Sequence, residues 1–225
     1  MNKIFGYYIC EKISVPDFLG IKSDEMITVS NCFTDLHPAL SYCYFDNNRK
    51  AERMEYHKKW ALTEAKAAML QDEIHSMFER CLAIDGRFSN IEDAKRIREK
   101  YFDENKCVIV SVSTTEEYYK ILTEELSENS SGINNFFPGV LDENQLLGYD
   151  ILGWDISGFH TFLCNSLHKE LEMPRFNQYC LLENDFETIQ DFAKQIQGKG
   201  EPVEWIPCRI GIEKLFKPVG IHVAV

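Results

Sequence analysis

The chain lacks the sequence features of membrane-spanning and secreted proteins. No run of about 18 apolar residues occurs, which argues against a spanning helix. Its first residues, MNKIFGYYICEKI, carry one lysine before a short apolar patch and no small-residue cleavage site, so they make a poor signal peptide. We therefore expect a cytoplasmic protein that does not insert into a membrane, with a first strand at residues 4–13.

Phosphate-binding and metal-binding signatures are also missing. Neither GxGxxG nor GxxxxGK[ST] occurs, and the eight cysteines are scattered without a CxxC pair. Most of these cysteines stand in apolar stretches, where a thiol behaves as a small hydrophobic side chain. We therefore expect reduced thiols, no cofactor and no metal ion.

Positive charge is scarce, since 24 Lys and Arg residues face 36 Asp and Glu residues and leave a net charge of −12. Proteins that bind nucleic acids in general need clustered Lys and Arg to contact phosphates, so that class is not expected. An acidic surface favours the encounter with a basic protein partner.

The residues that are present predict an α+β fold, because apolar residues make up 44% of the chain and aromatic residues 12%. Residues 48–83 contain no Gly or Pro and predict one long helix. Asn90 is typical of the cap of a second helix, and Cys107 to Val112 of a buried strand. The apolar stripe expected on the long helix consists of Leu70, Ile74, Met77, Phe78 and Cys81.

The C-terminal part predicts strands alternating with helices, at 146–154, 157–172, 179–182, 185–197 and 203–210. Such alternation favours a mixed sheet with packed helices. A polar stretch at 129–145 separates an N-terminal region, 1–130, from a C-terminal region, 146–225. The two regions are either separate units or one continuous domain.

The predicted helix at 157–172 carries the most distinctive polar pattern, with His160, Cys164 and His168 four residues apart. Such a stripe offers ligands for a metal ion or a Cys–His pair for nucleophilic catalysis. Three ligands spread over two helical turns seldom converge on one ion, however, and a thiol without a pKa-lowering environment is inert. We therefore assign no catalytic residue, and retain His160 with Cys164, or the carboxylates of Asp150 and Asp155, as the alternative of an enzyme.

A binding surface is predicted at the end of the strand at 146–154. Asp150, Trp154 and Asp155 stand together there, and an aromatic anchor ringed by carboxylates suits a basic partner. Tyr118 and Tyr119, in an acidic helix, are weaker candidates for the same role.

The segment LGYDILGWDISGFHTFLCNSL, with the Asp-capped helix and EPVEWIPCRI that follow it, resembles bacterial immunity proteins of polymorphic toxin systems and related cytosolic defence proteins. The resemblance covers about a third of the chain and implies a protein without chemistry of its own. We therefore predict a non-enzymatic acidic binding protein that neutralises or senses a macromolecular partner. The alternative is an enzyme with a Cys/His or paired-Asp site.

Overall fold

The computed structural model describes residues 2–34, 36, 40, 58, 60, 62–78, 80–82, 86–129, 146–155, 158–172 and 174–212, without the side chains of 125–129 and 155. Within these ranges, every helix is too short or too polar to cross a membrane.

Within the described residues, six strands form one sheet: β1 Asn2–Ile13, β2 Met26–Ile27, β3 Cys107–Thr115, β4 Leu146–Asp155, β5 Gly158–Thr161 and β6 Ile206–Ile212. Their order in the sheet is β2-β1-β3-β6-β4-β5. The α+β class is therefore confirmed, but the sheet is antiparallel at every pair of described strands rather than mixed. Strand β3 of the N-terminal region pairs with β6 of the C-terminal region, so the two regions share this sheet.

Helices cover the sheet and separate its apolar side chains from water. The helices of the described residues are α1 Glu64–Met77, α2 Ile91–Tyr101, α3 Glu116–Asn129 and α4 Phe186–Ile196, with short 3-10 helices at Asp17–Leu19 and Leu167–Glu170. Strand β3 lies inside the sheet, between β1 and β6, and its burial fits that position. Seven of its nine residues are buried, and the other two, Val108 and Thr115, are half-buried.

Side-chain caps fix the start of two helices, as the sequence predicts. The Asn90 side chain accepts a hydrogen bond from the Asp93 backbone N–H at the start of α2. The Asp185 side chain accepts one from the Thr188 N–H at the start of α4. Both caps satisfy a backbone donor that the first helical turn leaves without a partner.

The long helix is shorter than predicted. Helix α1 buries Leu70, Ile74 and Met77, which confirms that part of the stripe. It ends at Met77, because Phe78 turns to an extended backbone conformation with ψ 140° and is only half-buried. Much of the predicted N-terminal part, 48–57, lies outside the described residues.

The predicted helix at 157–172 is wrong. Strand β4 instead returns as β5, with Asp155 paired to Gly158, and Gly158 has φ 125°, outside the helical range. A turn and the 3-10 helix at Leu167–Glu170 follow.

The predicted strand at 179–182 reduces to a single bridge between Leu182 and Tyr149. The Asn177 side chain accepts hydrogen bonds from the backbone N–H groups of Tyr179 and Leu181, and Cys180 has φ 59°. Local side-chain bonding therefore takes the donors that a strand ladder would use.

Candidate functional site

Three side chains with atoms that can coordinate a metal ion meet at the surface beside strand β5. The sulfur atoms of Cys32 and Cys164 and a ring nitrogen of His160 all lie within 4.8 Å of one another. Cys32 is exposed, and His160 and Cys164 are half-buried. The cluster joins a loop after β2 to the hairpin formed by β4 and β5.

The loop after β2 is shaped by two hydroxyl groups. The Thr28 Oγ1 accepts a hydrogen bond from the Ser30 N–H at 3.0 Å, and the Ser30 Oγ accepts one from the Cys32 N–H at 3.2 Å. Such side-chain bonds to the backbone two residues ahead hold a tight turn. The turn directs Cys32 out of the core while Thr28 and Ser30 stay buried.

Glycine at position 158 lets this loop dock on β5. The Asn31 N–H donates to the Phe159 carbonyl at 3.1 Å, and a Cβ atom at position 158 would clash with the Asn31 amide nitrogen. The backbone of Gly158 also needs its positive φ of 125°. Position 158 therefore brings Cys32 within reach of the hairpin.

The hairpin supplies the other two ligands. His160 lies on β5, opposite Gly153 of β4. The chain then turns sharply, with the Cys164 N–H donating to the Thr161 carbonyl at 2.9 Å. This turn, rather than a helical repeat, places Cys164 beside His160.

Short contacts link the cluster internally. Cys32 Sγ lies 3.3 Å from His160 Nδ1, and Cys164 Sγ lies 3.3 Å from Ser30 Oγ. The hydrogen bond from the Cys164 thiol lowers the pKa of Cys32 to about 4, with smaller contributions from His160 and Ser30 opposed by burial. The same hydrogen bond and burial raise the pKa of Cys164. Between the two sulfur atoms, the thiolate is therefore favoured on Cys32 rather than on Cys164.

A carboxylate stands next to the cluster. Glu201 Oε1 lies 4.0 Å from His160 Nδ1 and accepts a hydrogen bond from the Asn165 side chain at 3.2 Å. Asn165 directly follows Cys164, so the turn that carries the ligand also orients this carboxylate.

The predicted stripe of His160, Cys164 and His168 is therefore only partly assembled. His168 is buried away from the cluster, where its Nε2 donates to the Leu19 carbonyl at 3.0 Å, and burial lowers its pKa. The side chain of Asp155, which belongs to the paired-carboxylate alternative for an enzyme, lies outside the described residues.

The predicted binding surface is not exposed at its centre. Trp154 is 5% exposed and Asp150 4%, so the expectation of an exposed aromatic anchor ringed by carboxylates is wrong for both. Trp154 packs edge-on against Phe159 at 5.2 Å between ring centroids. Tyr118 and Tyr119 are half-buried and pack against the part of the hydrophobic core that contains Trp154 and Phe159. Binding of a basic partner stays a prediction without a defined surface.

The functional residue that the sequence did not reveal is Cys32. It is 128 residues from His160, and its only local mark is a polar turn, NCFTD, after a short strand. No spacing rule connects two such distant positions, because their meeting depends on the docking of one loop against a hairpin.

No family model matches the chain, and no curated protein or solved structure is detectably similar to it. The resemblance of the C-terminal third to immunity proteins therefore stays a prediction, and functional argument begins from the cluster itself.

Proposed function

We propose that the protein binds one Zn²⁺ ion through Cys32 Sγ, His160 Nδ1 and Cys164 Sγ. The observation that carries this proposal is the approach of these three atoms to within 4.8 Å of one another. It replaces the expectation of a protein without a metal.

The donor set suits zinc in its chemistry. Two sulfur atoms and one imidazole nitrogen are soft to borderline donors, the kind that Zn²⁺ takes in proteins, whereas Mg²⁺ and Ca²⁺ take oxygen. The net charge of −12 further favours accumulation of a divalent cation near the surface.

The spacing also suits zinc. Tetrahedral bonds of about 2.3 Å to sulfur and 2.0–2.1 Å to nitrogen place neighbouring ligand atoms roughly 3.6–3.8 Å apart. The Cys32 sulfur and the His160 nitrogen lie 3.3 Å apart, so they need to separate only slightly to admit an ion. The Cys164 sulfur is within 4.8 Å of both and closes the third side.

Groups around the ligands support them. The Ser30 hydroxyl oxygen accepts a hydrogen bond from the Cys32 N–H. The hydroxyl hydrogen of Ser30 can then be donated to the Cys164 sulfur, which lies 3.3 Å from the Ser30 oxygen. Hydrogen bonds of this kind orient a ligand and stabilise its negative charge. Within the described ranges the cluster has three protein ligands and Cys32 faces solvent, so the fourth position falls to water or to the Glu201 carboxylate, whose Oε1 lies 4.0 Å from His160 Nδ1. Water in that position gives the open arrangement of catalytic zinc sites, whereas Glu201 gives the closed arrangement of structural ones.

The test is a zinc titration of the reduced protein against a chromophoric chelator, repeated with Co²⁺ to record its spectrum. We expect one ion per chain, and for Co²⁺ a thiolate charge-transfer band. Cys32→Ser and Cys164→Ser each lower the affinity on the order of 100-fold, because each replaces a thiolate by a poor ligand.

The matched control is Cys81→Ser, which changes a half-buried thiol outside the cluster and leaves the affinity unchanged. His160→Ala removes the third ligand and also lowers the affinity. Its control is His75→Ala, which changes an exposed histidine on α1 and leaves the affinity unchanged. Equal affinity in the wild type and in both cluster cysteine variants would contradict the proposal, as would a failure to bind the ion at micromolar concentration.

A further inference from the structure

We propose that Cys32 and Cys164 are also a site of oxidative modification, where a peroxide converts the two thiols to a disulfide and the zinc ion is released. Only the release of zinc rests on the proposed zinc site. Disulfide formation itself requires only the two thiols.

The two sulfur atoms are close enough to be joined by small movements. They lie within 4.8 Å, and a disulfide needs about 2.0 Å. Neither residue is held in a helix or strand, because Cys32 lies in the turn after β2 and Cys164 in the turn after β5. Both turns keep their backbone hydrogen bonds, so rotation of the two side chains has to bring the sulfur atoms together.

Their unequal exposure assigns different roles. Cys32 is exposed and meets an oxidant first, whereas Cys164 is half-buried behind it and in contact with Ser30. An accessible thiol next to a second thiol that can resolve it is the arrangement of redox-sensing cysteines.

The chemistry balances with a peroxide as the oxidant. The Cys32 thiolate attacks one peroxide oxygen, an S–O bond forms, the O–O bond breaks, and hydroxide leaves. In the metal-free chain the Cys164 thiol then attacks the sulfur of this sulfenic acid, an S–S bond forms, and the hydroxyl group leaves with the Cys164 proton as water. In the zinc-loaded chain Cys164 is already a thiolate, so the same attack releases hydroxide instead of water. Two electrons pass from the sulfur pair to the peroxide. The ion then retains only His160 among its three protein ligands, so it dissociates.

The chain contains an internal control for accessibility. Cys10 and Cys107 lie on the adjacent strands β1 and β3, and both are 0% exposed. Cys10 stands opposite Val108 rather than Cys107, so the two side chains lie on opposite faces of the sheet. We therefore expect both buried thiols to stay unmodified under conditions that oxidise Cys32 and Cys164.

The experiment treats the metal-free and the zinc-loaded full chain with hydrogen peroxide and maps the disulfides by mass spectrometry of peptides. A chromophoric chelator records the release of zinc. We expect a Cys32–Cys164 disulfide in both samples, about one equivalent of zinc released per disulfide, and recovery of binding after reduction. In Cys164→Ser we expect a sulfenic acid at Cys32 that dimedone traps, and in Cys32→Ser no disulfide.

The outcomes separate this inference from the proposed function. If the reduced chain binds no zinc, the zinc site is wrong, and the peptide map of the metal-free sample still decides the modification site. If zinc binds but peroxide leaves Cys32 and Cys164 unlinked, or links other cysteines instead, the modification site is wrong. Zinc that stays bound after the disulfide has formed contradicts the coupling between them.

Discussion

Replacing Asp150 by asparagine should stabilise the protein in a pH-dependent way. Asp150 is buried in the sheet, and desolvation raises its pKa from 3.8 to about 7, although hydrogen bonds from Thr161 and from the Ile151 N–H oppose the shift. The Thr161 hydroxyl donates to Asp150 Oδ1 at 2.6 Å and the Ile151 N–H at 2.8 Å. Asparagine keeps an acceptor oxygen for both donors and carries no charge to bury.

The magnitude follows from proton linkage. Between pH 3.8 and about 7 the folded protein holds a proton on Asp150 that the unfolded chain has already lost. Stability of the wild type therefore falls as pH rises through this window, by about 1.4 kcal/mol per pH unit for this one group. Above pH 7 both states are ionised and the dependence ends. We expect the free energy of unfolding of Asp150→Asn, relative to the wild type, to rise across the window and then become constant.

Urea unfolding at pH 5, 6, 7 and 8 measures this difference directly. The control is Asp72→Asn on the exposed face of α1, for which we expect a difference close to zero that does not grow with pH. A difference for Asp150→Asn that stays flat or shrinks as pH rises from 5 to 7 would refute the reasoning, because a carboxyl that ionises freely when folded has no such linkage.

Two further substitutions test the packing. Leu70→Ala should lower the free energy of unfolding by about 2–5 kcal/mol, because Leu70 is fully buried on α1. The control Met69→Ala, at an exposed neighbour, should change it by no more than about 0.5 kcal/mol. If urea unfolding gives a loss below about 1 kcal/mol for Leu70→Ala, this face of α1 is not packed as described. Gly158→Ala should cost about 1–3 kcal/mol through its φ of 125° and displace Asn31. It should therefore also weaken zinc binding, because the displaced loop carries Cys32. A variant that is destabilised but binds zinc with unchanged affinity would show that the docking of this loop is not needed for the site.

Sequence patterns predict the structure correctly where it depends on residues close together in the chain. Asn90 and Asp185 cap helices because each side chain reaches a backbone N–H three residues ahead, a relation that the sequence displays directly. Cys107 to Val112 reads as a buried strand because an almost continuous apolar run needs cover on both faces. The α+β class follows from such elements.

Local signals misled where a tertiary contact overrides periodicity. His160 and Cys164 have helical spacing, yet Gly158 pairs with Asp155 in a tight hairpin and the segment becomes a strand and a turn. Trp154 and Asp150 look like a surface group at a strand end, but Trp154 packs in the core against Phe159, and Asp150 is buried in the sheet beside Thr161. Spacing along one chain segment carries no information about what packs on it.

The sequence predicts the starts of α2 and α4 and the central strand β3, and it singles out His160 with Cys164. Cys32 joins that pair only in the folded protein, where its sulfur makes a set of three converging ligand atoms. Its sulfur reaches His160 across 128 residues because the turn held by Ser30 docks against Phe159, where Gly158 leaves room. That contact belongs to the packing of a loop on a sheet edge, and no local propensity encodes it.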